Sequence, residues 1–402
     1  MGEGRGNGRL LVWLSLGHLA NDWAITAIWL IAPAIAVAMD LSPAEVGLLI
    51  TISTVGAALG YLPAGLLTDR VAKRGRLLLG TFWWVAIGYA IASFAPDFWT
   101  VTLLLAIAGL GDAAWHPIAT GVLVQNVPGR RAQVLGIHAM AGSLAEVLAP
   151  LSVGFLLSVV DWRAALMISA LPAALMGIAF WRVADSVPAS PHRERETVRA
   201  GLGNLWRAWR GPRGLTMIAM ISIYDMALVA TLAMTPLFLQ RVHAFSTAET
   251  GIAFSAMVLA GALAQPVIGR ISDGRGRRSA VVGGNLAGVL ACLTVAMTAS
   301  PVIAVIALIA AVGALYGIRS VILAAAVEFA GTREGTTLGL TFVVMDGVGA
   351  LGAALAGAAG SIDLHYAFVL AAGFAAAAGI TAAVMAFGPA PRAAEATGRP
   401  AA

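Results

Sequence analysis

Between positions 10 and 387 the chain returns again and again to apolar runs of about twenty residues, and this pattern decides the fold class. The runs lie near 10–38, 44–66, 77–95, 99–125, 132–158, 162–184, 214–240, 247–268, 280–299, 302–326, 336–358 and 366–387. A hydrocarbon core of about 30 Å is crossed by about 20 helical residues. Within lipid every backbone N–H and C=O must find a partner inside the chain, so runs of this length are helices. Only 11% of the residues are charged and 59% are hydrophobic, against about 25% charged in a soluble domain. The sequence therefore predicts an all-α integral membrane protein with twelve transmembrane helices, its first partner the lipid bilayer.

The formal charge of +5 would suit nucleic acid, but the placement of the charges excludes that partner. All basic residues except Arg163, Arg241 and Arg319 fall in the termini or in every second loop. That distribution puts both termini in the cytoplasm, and a bacterial inner membrane is the expected location. The first run contains His18 and Asp22 and is too long for a secretory leader, so it reads as an uncleaved span. Cys292 is the sole cysteine and sits in an apolar run, which excludes disulfides and cysteine metal sites. No Walker-type phosphate loop and no His-Glu-x-x-His sequence occurs, so neither direct use of ATP nor enzymatic activity is expected, and no cofactor is expected.

The chain is internally duplicated. Gly65-Leu66-Leu67-Thr68-Asp69-Arg70, followed by Lys73, Arg74, Gly75 and Arg76, has a near-copy about 204 positions on. The copy reads Gly269-Arg270-Ile271-Ser272-Asp273-Gly274-Arg275-Gly276-Arg277-Arg278. A second landmark agrees: Pro128-Gly129-Arg130-Arg131 through Gly136 matches Gly331-Thr332-Arg333-Glu334 through Gly339 at an offset of about 203. The expected organisation is a six-helix bundle over 1–184, a cytoplasmic linker with an amphipathic helix over 185–213, a second bundle over 214–388 and a disordered tail over 389–402. Function is expected between the two halves.

Six spans, a cytoplasmic linker and six more spans resemble the layout of the major facilitator superfamily. The loop between spans two and three resembles that superfamily's Gly-x-x-x-Asp-Arg-x-Gly-Arg-Arg signature. The resemblance implies that Gly65, Asp69, Arg70 and Arg76, and in the copy Gly269, Asp273 and Arg277, latch the cytoplasmic side closed. Both copies depart from the signature: the first has three extra residues before Gly75, and the second has Gly274 in place of arginine. The two latches should therefore be unequal.

An ionisable side chain at mid-membrane costs at least about 2.5–3.5 kcal/mol, which makes each one a functional candidate. Span one carries His18, Asn21 and Asp22, and span four carries Asp112, Trp115 and His116. Each His/Asp pair is spaced i, i+4, so both members share a helix face. Span five adds His138 and Glu146, span seven Tyr224 and Asp225, span ten Arg319 and span eleven Asp346. At the internal offset Asp225 corresponds to Asp22 and Arg319 to His116. In the superfamily spans one, four, seven and ten line the substrate cavity. The resemblance thus implies that Asp22, Asp112, His18 and His116 couple protons, and that Asn21, Trp115, Tyr224, Asp225 and Arg319 bind substrate. His138, Glu146 and Asp346 are further candidates.

Two finer resemblances point to export. Ala145-Glu146-Val147-Leu148-Ala149-Pro150-Leu151-Ser152-Val153-Gly154 is similar to the superfamily's antiporter motif, with alanine at two of its glycines. Gly17-His18-Leu19-Ala20-Asn21-Asp22 and Gly109-Leu110-Gly111-Asp112-Ala113-Ala114-Trp115-His116-Pro117 resemble the fosmidomycin-resistance branch, apart from Asp112. The function expected is a proton-coupled, alternating-access exporter of drugs or small metabolites, active as a monomer and with no metal assigned. Proton symport of an organic anion or nutrient, and transport of a metal cation through the His/Asp ligands, are the alternatives.

Overall fold

The computed structural model describes residues 2–126, 131–188, 203, 209–330 and 339–388, without the side chains of 2–7, 66, 68–70, 131 and 132. Among these residues there is no strand, and twelve helices are long and apolar enough to cross a membrane. They are α1 (Gly8–Ala38), α2 (Pro43–Gly65), α3 (Arg74–Ala92), α4 (Phe98–Asn126), α5 (Gln133–Leu156) and α6 (Trp162–Trp181). The second six are α7 (Pro212–Arg241), α8 (Thr247–Arg275), α9 (Arg277–Met297), α10 (Pro301–Ala330), α11 (Gly339–Gly360) and α12 (Leu364–Val384). The protein is a multi-pass membrane protein. Most of the expected linker, the loop at 331–338 and the tail from 389 lie outside the described residues.

Two compact units form. The first contains Met1–Leu41, Ile52–Arg193 and Phe245–Ser255; the second contains Ser42–Thr51, Glu194–Ala244 and Ala256–Ala402. Within each, the same packing recurs: α1 lies against α5 as α7 lies against α11, and α3 against α4 as α9 against α10. The core of the first unit is apolar and aromatic, with Leu14, Leu78, Phe82, Trp115, Val122 and Phe180 all buried.

The duplication is written in the helix starts as well. Orphan N–H groups at a helix start need acceptors, and a Ser or Asp side chain supplies one. Ser42 and Glu45 form a capping box before α2, and Ser246 and Glu249 form its counterpart before α8. Asp97 caps α4 through Thr100, and Ser300 caps α10 through Ile303. Asp161 caps α6 as Asp363 caps α12. Thr100 N–H donates to Asp97 and His365 N–H to Asp363, and these backbone hydrogen bonds hold both carboxyls below the usual carboxylate range.

Several spans are broken, and the breaks position charged groups. The α10 helix is interrupted at Ile318, so Arg319 opens its second half. In α11 residues Val343–Gly349, which include Asp346, form a π-helix. Just beyond it the Thr51 hydroxyl accepts from Ala354 N–H at 3.0 Å and donates to the Ala350 carbonyl at 2.7 Å. The hydroxyl thus takes the place of the helical bond between Ala354 N–H and the Ala350 carbonyl.

Candidate functional site

In the first unit α1, α4 and α5 gather one polar cluster. The His18 Nδ1 atom lies 2.8 Å from the carbonyl oxygen of His138, which can only accept, so Nδ1 carries a hydrogen and donates it. The other nitrogen, Nε2, then faces Asp22 Oδ2 at 3.1 Å. His116 Nε2 stands 3.8 Å from Asp22 Oδ1 and 3.8 Å from Asp112 Oδ2. Asn21 donates to Asp112 Oδ1 at 2.9 Å and fixes that carboxylate. Both expected i, i+4 pairs therefore form, and Asp22 joins them. Asp22, Asp112 and His138 are buried, as is Asn21.

Packing tightens the cluster. The His138 ring stacks on His18 with centroids 4.3 Å apart, and His18 meets His116 edge-on at 5.1 Å. Gly142 lies against the ring: a Cβ there would stand 2.6 Å from His18 Nε2. The sequence marked His138 as a side-chain candidate. Its backbone carbonyl is what orients His18, and residue type carries no signal for that.

In the second unit the group is Asp225, Arg319 and Asp346. Arg319 Nη2 lies 3.6 Å from Asp346 Oδ1, and its guanidinium is 5.8 Å from the Tyr316 ring centroid. The buried Asp225 carboxylate packs against Gly349, where an added Cβ would collide with Oδ2. The offset thus placed a polar group on each of the matched helices. Glu146 is half-buried on α5.

The two aromatic candidates are enclosed in this structure. Trp115 is wholly buried and packs between Phe82, at 4.7 Å, and Gly17, so no ring face is open to a ligand. Tyr224 is also wholly buried, and its hydroxyl donates to the Leu315 carbonyl at 2.7 Å, beside the break in α10.

At the duplicated loops Arg277 donates to Asp273 at 2.6 Å and to Glu328 of α10 at 2.8 Å. Arg76 meets Asp185 at 2.8 Å, an exposed pair that lowers the Asp185 carboxyl chiefly through its hydrogen bond. The side chains of Asp69 and Arg70 lie outside the described set. Arg74, buried, donates to Gln125 at 2.6 Å. At an offset of 203 Arg74 matches Arg277 and Gln125 matches Glu328, so Arg74 is the arginine equivalent to Arg277. Gly65 and Gly269 also correspond: each faces the next even helix, near Pro117 and Ser320. Near the antiporter-like segment Gly154 packs on Gly251 of α8, with a Cβ at Gly154 only 2.8 Å from the Gly251 Cα.

The profile of the Major Facilitator Superfamily matches residues 14–353 and 243–402. The chain belongs to the major facilitator superfamily. It is 27% identical over 179 residues to a protein of Cupriavidus pinatubonensis described as a probable 4-methylmuconolactone transporter, covering 43% of this chain and 42% of that one. It is 30% identical over 156 residues to a probable sugar efflux transporter of Helicobacter acinonychis, covering 38% and 39%. A niacin transporter of Acinetobacter baylyi is 26% identical over 178 residues, covering 44% and 37%. The matches span about two-fifths of the length of these relatives. Among solved structures, a bacterial homolog of the human lysosomal transporter Spinster superposes with a TM-score of 0.76 at 18% identity, covering 95% of both chains. The nucleoside transporter NupG gives 0.75 at 14%, covering 94% of this chain and 98% of that one. These likenesses establish the superfamily fold. The relatives and the solved neighbours are all described as transporters.

Proposed function

We propose that this superfamily member is a proton-coupled secondary transporter that exports a small organic molecule by alternating access. The observation that carries the reading is the His18–Asp22 contact. With Nδ1–H committed to the His138 carbonyl, Nε2 and the Asp22 oxygen meet as two acceptors at 3.1 Å unless a proton lies between them. Such a contact holds when protonated and loosens when the proton leaves. His116 stands within 3.8 Å of both Asp22 and Asp112, so the proton's charge is shared across α1 and α4. In this reading Asp22 and Asp112 carry the proton, and His18 and His116 tune them.

Arg319, loosely paired at 3.6 Å to Asp346, serves as the group that meets an anionic part of the substrate or balances Asp225. What supports export is the antiporter-like segment, where Gly154 packs on Gly251, and the resemblance of His18–Asp22 and Asp112–His116 to the fosmidomycin-resistance branch. The positive-inside pattern supports an inner-membrane protein with both termini in the cytoplasm, and a monomer suffices. The experiment is reconstitution into proteoliposomes carrying an internal pH dye. Sugars, niacin and lactone acids, the cargo classes named for the relatives, are added in turn. A substrate that elicits proton flux in the opposite direction supports antiport. Flux in the same direction selects symport, and transport with no proton movement refutes the coupling.

A further inference from the structure

We propose that His18, Asp22 and His116 form a binding site for one divalent transition-metal ion of the zinc class. The ligand atoms are the two imidazole Nε2 atoms and the Asp22 carboxylate, which all lie within 4.8 Å of one another. His18 Nε2 to Asp22 Oδ2 is 3.1 Å and His116 Nε2 to Asp22 Oδ1 is 3.8 Å. A tetrahedral zinc ion with ligands at about 2.1 Å holds neighbouring ligand atoms about 3.4 Å apart, between those two separations. Nitrogen and carboxylate donors together suit zinc, cobalt and nickel, and disfavour magnesium and calcium, which take oxygen.

Two features set this cluster apart from an ordinary ion pair. The Asp22 Oδ1 atom is buried and has no hydrogen-bond partner, and it is the oxygen turned toward His116. His18 meanwhile donates its far nitrogen to the His138 carbonyl, the arrangement that fixes ring orientation in metal-ligating histidines. Asp112, held by Asn21 and 3.8 Å from His116 Nε2, adds a second buried carboxylate beside the site. With neutral imidazoles the two carboxylates make the cluster dianionic, and a divalent ion cancels that charge. No other group of three or more His, Cys, Asp and Glu side chains among the described residues comes together this way.

The ion would tie α1 to α4 where the coupling proton is proposed to sit. Zinc is therefore expected to arrest proton-driven transport, a consequence that rests on the function proposed above. The test uses the full-length protein in detergent with any affinity tag removed, and cobalt(II) as the probe. One cobalt ion per chain should bind with the strong visible absorption of a four-coordinate site, be displaced by zinc and resist magnesium and calcium. His18→Gln, His116→Gln and Asp22→Asn should each weaken binding by about tenfold or more, while His365→Gln should leave it unchanged. Absence of stoichiometric binding to the wild type overturns the site, as does unchanged affinity in the His18 and His116 variants. Binding intact while Asp22→Asn keeps full proton-driven transport overturns the coupling reading and leaves the metal site standing. Binding absent while Asp22→Asn abolishes transport does the reverse.

Discussion

Replacing Gly142 by alanine should disable transport from a position that contacts neither substrate nor proton. The new Cβ would meet His18 Nε2 at 2.6 Å, Cε1 at 2.7 Å and Cδ2 at 3.2 Å. Such contacts relax to about 3.5 Å, so the ring or helix α5 must yield by about 1 Å. The ring is pinned by its 2.8 Å bond to the His138 carbonyl and by stacking on His138 at 4.3 Å, so a shift of that size breaks the bond. Overpacking of this kind costs about 1–3 kcal/mol. Alanine returns about 1 kcal/mol over glycine in a helix, which leaves a net loss of about 0–2 kcal/mol. Losing about 1.4 kcal/mol at the His18–Asp22 contact alone would slow coupled transport about tenfold. Gly136, two turns earlier on the same helix, has nothing within 4 Å of an added Cβ and is the control. Gly136→Ala should be neutral or stabilise by about 0.4–1 kcal/mol. The assays are thermal unfolding in detergent and gradient-driven flux in proteoliposomes. Wild-type flux and stability in Gly142→Ala would refute the claim that His18 is held in one productive position.

Three further outcomes follow from the geometry. A double-mutant cycle on Arg277 and Glu328 should show coupling of about 1 kcal/mol or less, falling with added salt, because the Glu328 side chain is 44% exposed. Ser300→Ala should destabilise by about 0.5 kcal/mol, the low end for an N-cap, since its bond from Ile303 N–H is long at 3.4 Å. Asp97, whose carboxyl is lowered by the bond from Thr100 N–H, should give a stability increment that is present above the ordinary aspartate range near ~4 and lost as the pH falls through its lowered value. Unfolding measured between neutral and acid pH should show a smaller acid-side loss in Asp97→Asn, and an unchanged profile would contradict the cap.

The residues that could be read from the sequence are those whose chemistry conflicts with lipid. His18, Asp22, Asp112 and His116 stand out because charge at mid-membrane is costly, and helical spacing alone placed each pair together. What joins the pairs, the approach of His116 to Asp22, depends on how α1 crosses α4, and spacing along one helix cannot report that. An aromatic on a polar helix serves a ligand or a core equally well, so residue type alone does not report that Trp115 and Tyr224 are wholly buried. The partner of Arg277 is legible in the sequence through the duplication. The 203 offset that matched His116 to Arg319 also matches Gln125 to Glu328, and the extra residue between Asp69 and Arg74 hid the register. The paired caps at Ser42 and Ser246 were equally available, as Ser-x-x-Glu before each apolar run. The Thr51 hydroxyl that opens the ladder between Ala350 and Ala354 has no local signal, because Thr51 lies about 300 positions away in sequence.

The central claim is that Asp22 and Asp112 move protons in step with substrate. Its most direct test is proton flux from a pH dye sealed in proteoliposomes, recorded on adding an accepted substrate to the wild type and to the Asp22→Asn and Asp112→Asn variants. Substrate-dependent flux is expected in the wild type, with both variants still binding substrate but moving no protons. Full proton flux in both variants would contradict it.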